Sequence, residues 1–338
     1  MFINVDAAGC PDTCRHCAVD GHNPFGALFS LAELRALKNE WGPLTILYEP
    51  TAHPDFPEIF HEDIATENGG WLVSNGFGLA RREDDERVFA NMRAMGIHTI
   101  AHTLHGLREH HDWFVCRAGA FDDIVQATRR AKERNFTVHW QIYADQKGIQ
   151  DIAPLVDLAF KEVGDVQFLG FVYHRVGGRL WHYERIRLTL KDIETYGLHK
   201  LINDPDKNLF TGYETLTAQA WLEKWQQSPL SDDFKHPFEP RTWPPKATFE
   251  YLSLRIDRNR KVYLDPFCNA PIFLGNVSDG KETLLERLER LPLPDFADLQ
   301  PNDITLSPDE REQLHPTGFS FRYKEISKKR RMAKIAQE

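Results

Sequence analysis

Short runs of apolar residues alternate, over the first 205 residues, with longer stretches in which apolar residues recur every three or four positions. The apolar runs predict six β-strands: FINV (2–5), LTILY (44–48), GWLVS (70–74), IHTIAHTL (97–104), TVHWQIYA (137–144) and VQFLGFVY (166–173). The periodic stretches predict helices, among them 30–40, 82–96 and 121–135. The alternation predicts parallel strands joined by crossover helices, because parallel neighbours cannot be joined by a tight turn. Residues 1–205 are therefore predicted to form an open or closed α/β barrel, with its chemistry at the carboxyl ends of the strands.

The pattern changes after residue 205. Residues 228–246 are rich in proline and charge, and we interpret 206–248 as a linker or irregular segment. YLSLRID (251–257) and KVYLD (261–265) alternate apolar and polar residues across the turn RNR, which predicts an antiparallel hairpin. A second, small α+β unit is therefore expected over residues 249–338.

The composition is that of a folded protein. Of the 338 residues, 41% are hydrophobic and 27% are charged, so the chain can bury a large core. It contains no apolar run of membrane-spanning length and no basic-then-apolar leader, so we expect a cytoplasmic protein with no membrane partner. The net charge of −9 argues against a nucleic-acid partner.

Three of the five cysteines lie in the segment GCPDTCRHC, just after the first predicted strand. Cys10, Cys14 and Cys17 are too close in sequence for an efficient disulfide framework, and thiolates at this spacing can converge on a soft metal centre. A structural zinc site needs four protein ligands, and His16, as the neighbour of Cys17, is poorly placed to complete one. A 4Fe–4S cluster held by three cysteines leaves one iron open to an exogenous molecule. The cluster is the favoured interpretation, and zinc is the alternative.

CPDTCRHC after a first strand resembles the signature of the radical S-adenosylmethionine (SAM) enzymes, and later segments resemble that superfamily in the same order. LYEPTAHPDF (47–56) resembles its Gly-Gly-Glu-Pro segment, with Tyr48 where a glycine is usual. VSNGFG (73–78) resembles its Thr-Asn-Gly segment. Residues 102–125 resemble a Ser-Leu-Asp-Gly stretch followed by His-Asp and Gly-Ser-Phe-Asp, and GGRL (177–180) resembles a Gly-Arg pair.

The segment KVYLDPFCNAPIFLGNVSDG (261–280) resembles the start of the auxiliary-cluster domain called SPASM, or of its shortened form, twitch. Cys268 is the only cysteine after Cys116, and one thiolate does not hold a cluster. The resemblance therefore implies a partial (β/α)6 barrel of radical SAM type, followed by a small C-terminal twitch- or SPASM-like α+β domain that lacks the auxiliary cluster.

The resemblance also implies a chemistry. A reduced 4Fe–4S cluster held by Cys10, Cys14 and Cys17 would cleave SAM to a 5′-deoxyadenosyl radical, which abstracts a hydrogen atom from the substrate. An electron donor such as flavodoxin or ferredoxin is implied as a partner. The residues that we interpret as SAM or substrate contacts are Tyr48, Glu49, Pro50, Ser74, Asn75, His105 and Arg179. For Arg179, an ordinary surface salt bridge is the alternative to binding a carboxylate.

Two further thiols are candidates to return a hydrogen atom to a substrate radical. Cys116 lies where the family commonly has a glycine, and a buried, inert thiol is the favoured alternative. Cys268 could act from the C-terminal unit, with packing in a small core as the alternative. His102 is expected on the barrel-interior side of its strand, whereas His110 and His111 are expected in an exposed loop.

The substrate is predicted from two features. Without an auxiliary cluster to accept electrons, redox-neutral outcomes such as epimerisation, elimination or C–C bond formation are favoured. Because the first strand begins at residue 2, no N-terminal peptide-recognition domain is expected, and a small polar molecule such as a sugar, aminoglycoside or nucleoside is predicted. The alternatives are a ribosomally made peptide and a non-catalytic zinc protein.

Overall fold

The computed structural model describes residues 2–17, 28–56, 58–61, 70–164, 166, 168–171, 186, 188, 192, 195–202, 204, 206–207, 253–264 and 272–290. The strands in these ranges are β1 (Phe2–Val5), β2 (Leu44–Ile46), β3 (Trp71–Ser74), β4 (Thr99–Leu104), β5 (Thr137–Ala144), β6 (Phe168–Phe171), β7 (Ser253–Ile256), β8 (Lys261–Leu264) and β9 (Ile272–Asn276). The α-helices are α1 (Leu31–Trp41), α2 (Glu58–His61), α3 (Phe77–Arg81), α4 (Asp85–Ala94), α5 (Arg108–Val115), α6 (Ala120–Glu133), α7 (Ile152–Glu162), α8 (Leu198–Ile202) and α9 (Lys281–Glu289). None of the described helices is long and apolar enough to cross a membrane.

All six predicted strands are confirmed, and β1 and β5 begin and end where the apolar pattern places them. The described strands nevertheless fall into two hydrogen-bonded sheets, β2–β1–β7–β8–β9 and β3–β4–β5–β6, rather than one sheet of six. The break lies between β2 and β3. Since β2 is only three residues long and Pro50, which lacks an N–H group, follows shortly after it, few backbone groups remain there to pair with β3.

The four-stranded sheet is parallel throughout, and one of its faces is covered by helices. Trp140 on β5 is fully buried on that face, and its indole Nε1 donates to Thr128 Oγ1 on α6 at 3.0 Å. His102 on β4 lies beside Trp140 in the register and is also fully buried. The expectation that His102 faces the barrel interior is therefore wrong. The opposite face carries half-buried polar residues such as Thr103 and Gln141.

The five-stranded sheet joins the two ends of the described chain. β1 pairs in parallel with β2 on one side and with β7 on the other, and β7, β8 and β9 follow in antiparallel order. The predicted hairpin is thus confirmed, and it extends the sheet that contains β1 because β7 pairs with the edge of β1 that β2 leaves open. The predicted boundaries at residues 205 and 248 both lie outside the described residues and stay predictions.

The two faces of this sheet differ in chemistry. Its apolar face packs against one helix from each end of the described chain. The contacts are made by Leu34 and Leu37 of α1 and by Leu284 and Leu288 of α9. A capping box at Ser30 and Glu33 begins α1 and fixes where that helix starts. The polar Asn4 of β1 and Arg255 of β7 are paired in the register and lie on the opposite face.

Candidate active site

The cysteine segment leaves the carboxyl end of β1 and lies against the end of α5. The backbone N–H of Thr13 donates to the Val115 carbonyl at 3.0 Å, and that of Arg15 donates to the Phe114 carbonyl at 2.9 Å. Within the segment, the Cys17 N–H donates to the Cys14 carbonyl at 3.0 Å. These bonds hold the backbone between the cysteines in one conformation.

Two cations lie against the indole of Trp113 on α5, and one of them belongs to the cysteine segment. The guanidinium of Arg15 lies 4.1 Å from the centroid of the Trp113 ring, and its Nε donates to the Trp113 carbonyl at 3.0 Å. The ammonium of Lys147 lies 3.6 Å from the same ring. Sequence reasoning missed this contact, because Trp113 and Lys147 belong to different strand–helix units.

The thiol environment fits a cluster. Cys10, Cys14 and Cys17 are each half-buried, and none of them is in a disulfide. Burial raises the pKa of Cys10 and of Cys14, and the nearby Asp12 carboxylate raises both further. Thiols in such surroundings ionise only beside a compensating positive charge, which an iron–sulfur cluster supplies. The three thiols lie on one loop and are the donor set that such a cluster uses, although the described residues contain no group of three ligand side chains already drawn together around one metal position.

Asn75, at the carboxyl end of β3, connects the cysteine segment to the second sheet. Its amide Nδ2 donates to Asp12 Oδ2 at 2.8 Å and lies 3.7 Å from Cys10 Sγ. Its Oδ1 accepts from the Phe77 N–H at 3.0 Å, at the start of α3. The sequence-predicted Asn75 is thus next to the sequence-predicted Cys10.

A chain of buried charges supports Asp12 from the other side. Arg117 Nε donates to Asp12 Oδ1 at 2.5 Å, and Arg117 also pairs with Asp123 on α6. Burial raises the pKa of Asp12, while Arg117 acts in the opposite direction. Sequence reasoning missed Asp12 and Arg117, although a charged residue between two of the clustered cysteines was a signal for a nearby counter-ion.

Glu49 lies between the ends of β2 and β3 and is 2% exposed. Its carboxylate accepts from Ser74 Oγ at 2.9 Å, from the Asn75 N–H at 2.6 Å, from the Thr51 N–H at 3.1 Å and from Thr51 Oγ1. Burial raises the pKa of Glu49, although these donors act in the opposite direction. The structure therefore brings Glu49, Pro50, Ser74 and Asn75 together and shows Glu49 joining the ends of the two sheets.

Tyr48 has a backbone φ of +70°, in the left-handed region. Its hydroxyl accepts from Arg255 Nη2 at 2.9 Å and lies 3.5 Å from Asp6 Oδ2. Arg255 in turn pairs with Asp6 through two bonds of 2.9 and 2.8 Å. A residue of the C-terminal strands thus reaches the loop that holds Tyr48 and Glu49.

His105 follows β4 and lies in a group of rings beside the cysteine segment. Its ring stacks on Phe114 at 3.7 Å between centroids, and His16 lies 4.9 Å from it. Burial lowers the pKa of His105 well below its ordinary value, so the ring is neutral at pH 7. Its Nδ1 is buried without a hydrogen-bond partner. His16 therefore packs among rings, which does not favour the alternative in which it ligates zinc.

The expectation that His110 and His111 lie in an exposed loop is wrong. Both are on α5, where His110 is 8% exposed and His111 is 2% exposed. His110 Nε2 lies 2.7 Å from Asp145 Oδ2, at the end of β5. The sequence pattern could have shown this, since the two histidines stand at helical spacing from the buried Phe114 and Val115.

The remaining predicted site residues are only partly described. Cys116 ends α5 in the left-handed conformation, with φ of +60°, and it is exposed, so the alternative of a buried thiol is wrong. Its conformation explains why a glycine is common at this position. Its role as a hydrogen donor stays a prediction. Cys268 and Arg179 lie outside the described residues.

Comparison with known proteins agrees with this geometry. Residues 5–151 match the sequence profile of the Radical SAM superfamily. Fe-coproporphyrin III synthase of Methanosarcina barkeri (strain Fusaro / DSM 804) is 26% identical over 179 residues, which is 51% of this chain and 44% of that relative. The chain thus matches less than half the length of this curated relative.

Two solved structures have a similar fold. Native anSMEcpe with bound AdoMet has a TM-score of 0.53 and 16% identity, over 99% of each chain. Streptococcus suis SuiB bound to precursor peptide SuiA has a TM-score of 0.51 and 13% identity, over 87% of this chain and 68% of that chain. The fold is therefore the α/β radical SAM fold with a C-terminal β-rich region. Residues 5–151 thus carry the sequence profile of the radical SAM superfamily, and this match indicates radical SAM chemistry with a 4Fe–4S cluster and SAM as cofactors.

Proposed function

We propose that Cys10, Cys14 and Cys17 hold the 4Fe–4S cluster and that the enzyme uses SAM there to take a hydrogen atom from a peptide substrate. The observation that carries the first part is the position of the cysteine segment, which is fixed by α5 on one side and by Asn75 on the other. When bound, the reduced cluster supplies one electron that breaks a carbon–sulfur bond of SAM, which gives methionine and a 5′-deoxyadenosyl radical.

The protein's own residues prepare this chemistry by fixing geometry. Asn75 and Arg117 hold Asp12, and with it the backbone that precedes Cys14. Glu49 fixes the end of β2 against the end of β3, so the two segments that resemble SAM-binding motifs keep a constant separation. Fixed geometry of this kind lowers the barrier because the reacting atoms need no further ordering.

A peptide is the substrate that the fold favours best. SuiB, whose solved structure contains its precursor peptide, shares this fold over 87% of the chain. This proposal replaces the small polar substrate predicted above, whose basis was the position at which the first strand begins. The C-terminal β-rich region would then form part of the surface against which the peptide lies. We keep a redox-neutral outcome and a flavodoxin- or ferredoxin-type electron donor as parts of the proposal.

A tetrapyrrole is the second candidate substrate. It is supported by the 26% identity to a protein named Fe-coproporphyrin III synthase, which is higher than the 13% identity to SuiB. The two candidates differ in where a hydrogen atom would be taken: from a backbone or side-chain carbon of an amino acid, or from a substituent of the macrocycle.

Anaerobic reconstitution with iron and sulfide tests the proposal. The reduced protein should convert SAM to 5′-deoxyadenosine, and Cys10→Ala, Cys14→Ala and Cys17→Ala should each lose the iron and this activity. Cys116→Ala is the matched control, because it removes a nearby thiol and should keep the iron content. Full iron content in the three variants would contradict the assignment of the ligands.

The substrate is tested by isotope transfer. The reduced enzyme is incubated with SAM and with perdeuterated tryptic peptides, or with deuterated coproporphyrin III. Deuterium in 5′-deoxyadenosine from the peptide mixture alone is the expected result. Transfer from the tetrapyrrole alone would replace the peptide by the second candidate.

A further inference from the structure

The loop after β2 contains a residue whose backbone conformation needs support. Tyr48 has φ of +70°, which a tyrosine adopts only at a cost, whereas the glycine usual at this position in the resembling motif adopts it freely. Both neighbours of Tyr48 are fixed. The Leu47 N–H donates to the Val5 carbonyl at 2.9 Å, and the Glu49 carboxylate is held by residues of β3 and of its own turn. The strained residue thus sits between two anchored ones.

Arg255 on β7 supplies the support. Its Nη2 donates to the Tyr48 hydroxyl at 2.9 Å and to Asp6 Oδ2 at 2.8 Å, while its Nε donates to Asp6 Oδ1 at 2.9 Å. Asp6 is 1% exposed, so its charge needs this cation. One guanidinium therefore binds a buried carboxylate and a phenol at the same time, in a planar arrangement that arginine favours and lysine cannot reproduce.

The sheet register places Arg255 where it can do this. Asn4 pairs with Arg255 across the parallel ladder of β1 and β7, and the Asp6 N–H continues the ladder to the Ile256 carbonyl at 3.0 Å. Asp6 and Arg255 thus lie at the carboxyl ends of adjacent strands, at the edge from which the cysteine segment leaves β1. The contact joins the C-terminal strands to the loop that precedes Glu49.

We propose that Arg255 is a positioning residue for SAM, which acts by holding Tyr48 in the left-handed conformation and so fixes the backbone of residues 47–49. This inference rests on the proposed function, in which the segment that contains Tyr48 and Glu49 binds SAM. Through Arg255, the C-terminal strands would then contribute to cofactor binding. A glycine at position 48 would not need this support, because it adopts a positive φ freely.

A double-mutant cycle tests this proposal. The variants are Arg255→Lys, which keeps a cation beside Asp6, Tyr48→Gly, which needs no support for a positive φ, and their combination. The dissociation constant of SAM is measured by calorimetry on each reconstituted protein. Arg255→Lys should weaken SAM binding by about threefold to tenfold, the range expected for one or two hydrogen bonds. In the Tyr48→Gly background, the same change should have less than about a twofold effect.

A second readout needs no SAM. Hydrogen exchange of a peptide covering residues 44–52 should be faster in SAM-free Arg255→Lys holoenzyme than in the wild type. Arg260→Lys is the matched control, because Arg260 pairs with Glu33 of α1 from the same hairpin and does not touch Tyr48. It should leave both SAM binding and exchange at residues 44–52 unchanged.

The outcomes separate this inference from the function on which it rests. If the wild-type holoenzyme neither binds nor cleaves SAM, the proposed function fails. If it binds SAM but Arg255→Lys weakens binding equally in both backgrounds, the proposed function stands and the positioning role of Arg255 is overturned. Unchanged exchange at residues 44–52 in Arg255→Lys would also overturn it.

Discussion

The two sheets hold their parts of the site by different means. In the five-stranded sheet, the buried Asp6 is paired with Arg255, 249 residues away in the sequence. In the four-stranded sheet, the end of β3 is held by a neighbouring strand, through His102 Nδ1 and the Ser74 carbonyl at 2.8 Å, and the core beneath it is apolar. The end of β1 thus depends on a long-range ion pair, whereas the end of β3 depends on an adjacent strand and on packing.

This difference shows what the C-terminal strands contribute. β1, from which the cysteine segment leaves, has β2 on one side and β7 on the other. Without β7, one edge of β1 would lose its hydrogen-bond partners and Asp6 would lose its cation. The hairpin is therefore part of the support for the site, as well as a candidate substrate surface.

The largest expected effect is on the long-range ion pair. Arg255→Ala should lower the free energy of unfolding by about 3–5 kcal/mol, because it leaves the buried Asp6 carboxylate without its cation. Urea unfolding measures this loss. Arg81→Ala is the control from the other sheet's helices. The Arg81 side chain is 52% exposed in its pair with Asp123, so its loss should cost less than about 1 kcal/mol. If both variants lose the same free energy of unfolding, the ion pair of the five-stranded sheet contributes no more than an exposed one, and the contrast between the two sheets is wrong.

The next effect concerns pH and the four-stranded sheet. Burial lowers the pKa of His102 to about 4, from an ordinary value of 6.5. Between these values the unfolded chain binds a proton that the folded chain does not, so stability falls as the pH is lowered from 6.5 to 4. The contribution of His102 is about 3 kcal/mol at full extent.

The measurement is urea unfolding at several pH values in that range. His105 and His111 are also buried with lowered pKa values, so the wild type alone does not isolate His102. His102→Asn keeps an amide that can donate to the Ser74 carbonyl and removes the titration. A pH dependence that is the same in His102→Asn as in the wild type would show that this histidine is not buried in its neutral form.

The sequence predicted well what is local and poorly what is distant. The strands β1 and β5 followed from uninterrupted apolar or alternating runs, and the cysteine segment followed from its spacing. The pairing of Asp6 with Arg255 could not be predicted, because nothing local marks two residues so far apart as neighbours. The left-handed conformation of Tyr48 was signalled only by the glycine usual at this position, since a tyrosine itself indicates an extended or helical backbone.

The junction between the sheets should show an intermediate effect. Glu49→Gln replaces one carboxylate oxygen by an NH2 group, which cannot accept hydrogen bonds from the N–H and O–H donors around it. The change should lower the free energy of unfolding by about 1–3 kcal/mol. Ser74→Ala removes only one of these donors and should cost less. Urea unfolding of both variants measures the difference. If Ser74→Ala is the more destabilising, Glu49 is not the residue that joins β2 to β3.

The smallest expected effect concerns the cation–π contact that joins the loop after β5 to α5. Lys147→Ala removes one of the two cations on Trp113, and should lower the free energy of unfolding by about 0.5–1 kcal/mol, the value of an exposed cation–π contact. Lys161→Ala, an exposed lysine in the last turn of α7, should have no measurable effect. High salt distinguishes this contact from a surface ion pair, since a cation on an aromatic face is screened less than two exposed charges. If 1 M salt abolishes the difference between the two lysine variants, Lys147 acts through a charged neighbour and not through the face of Trp113.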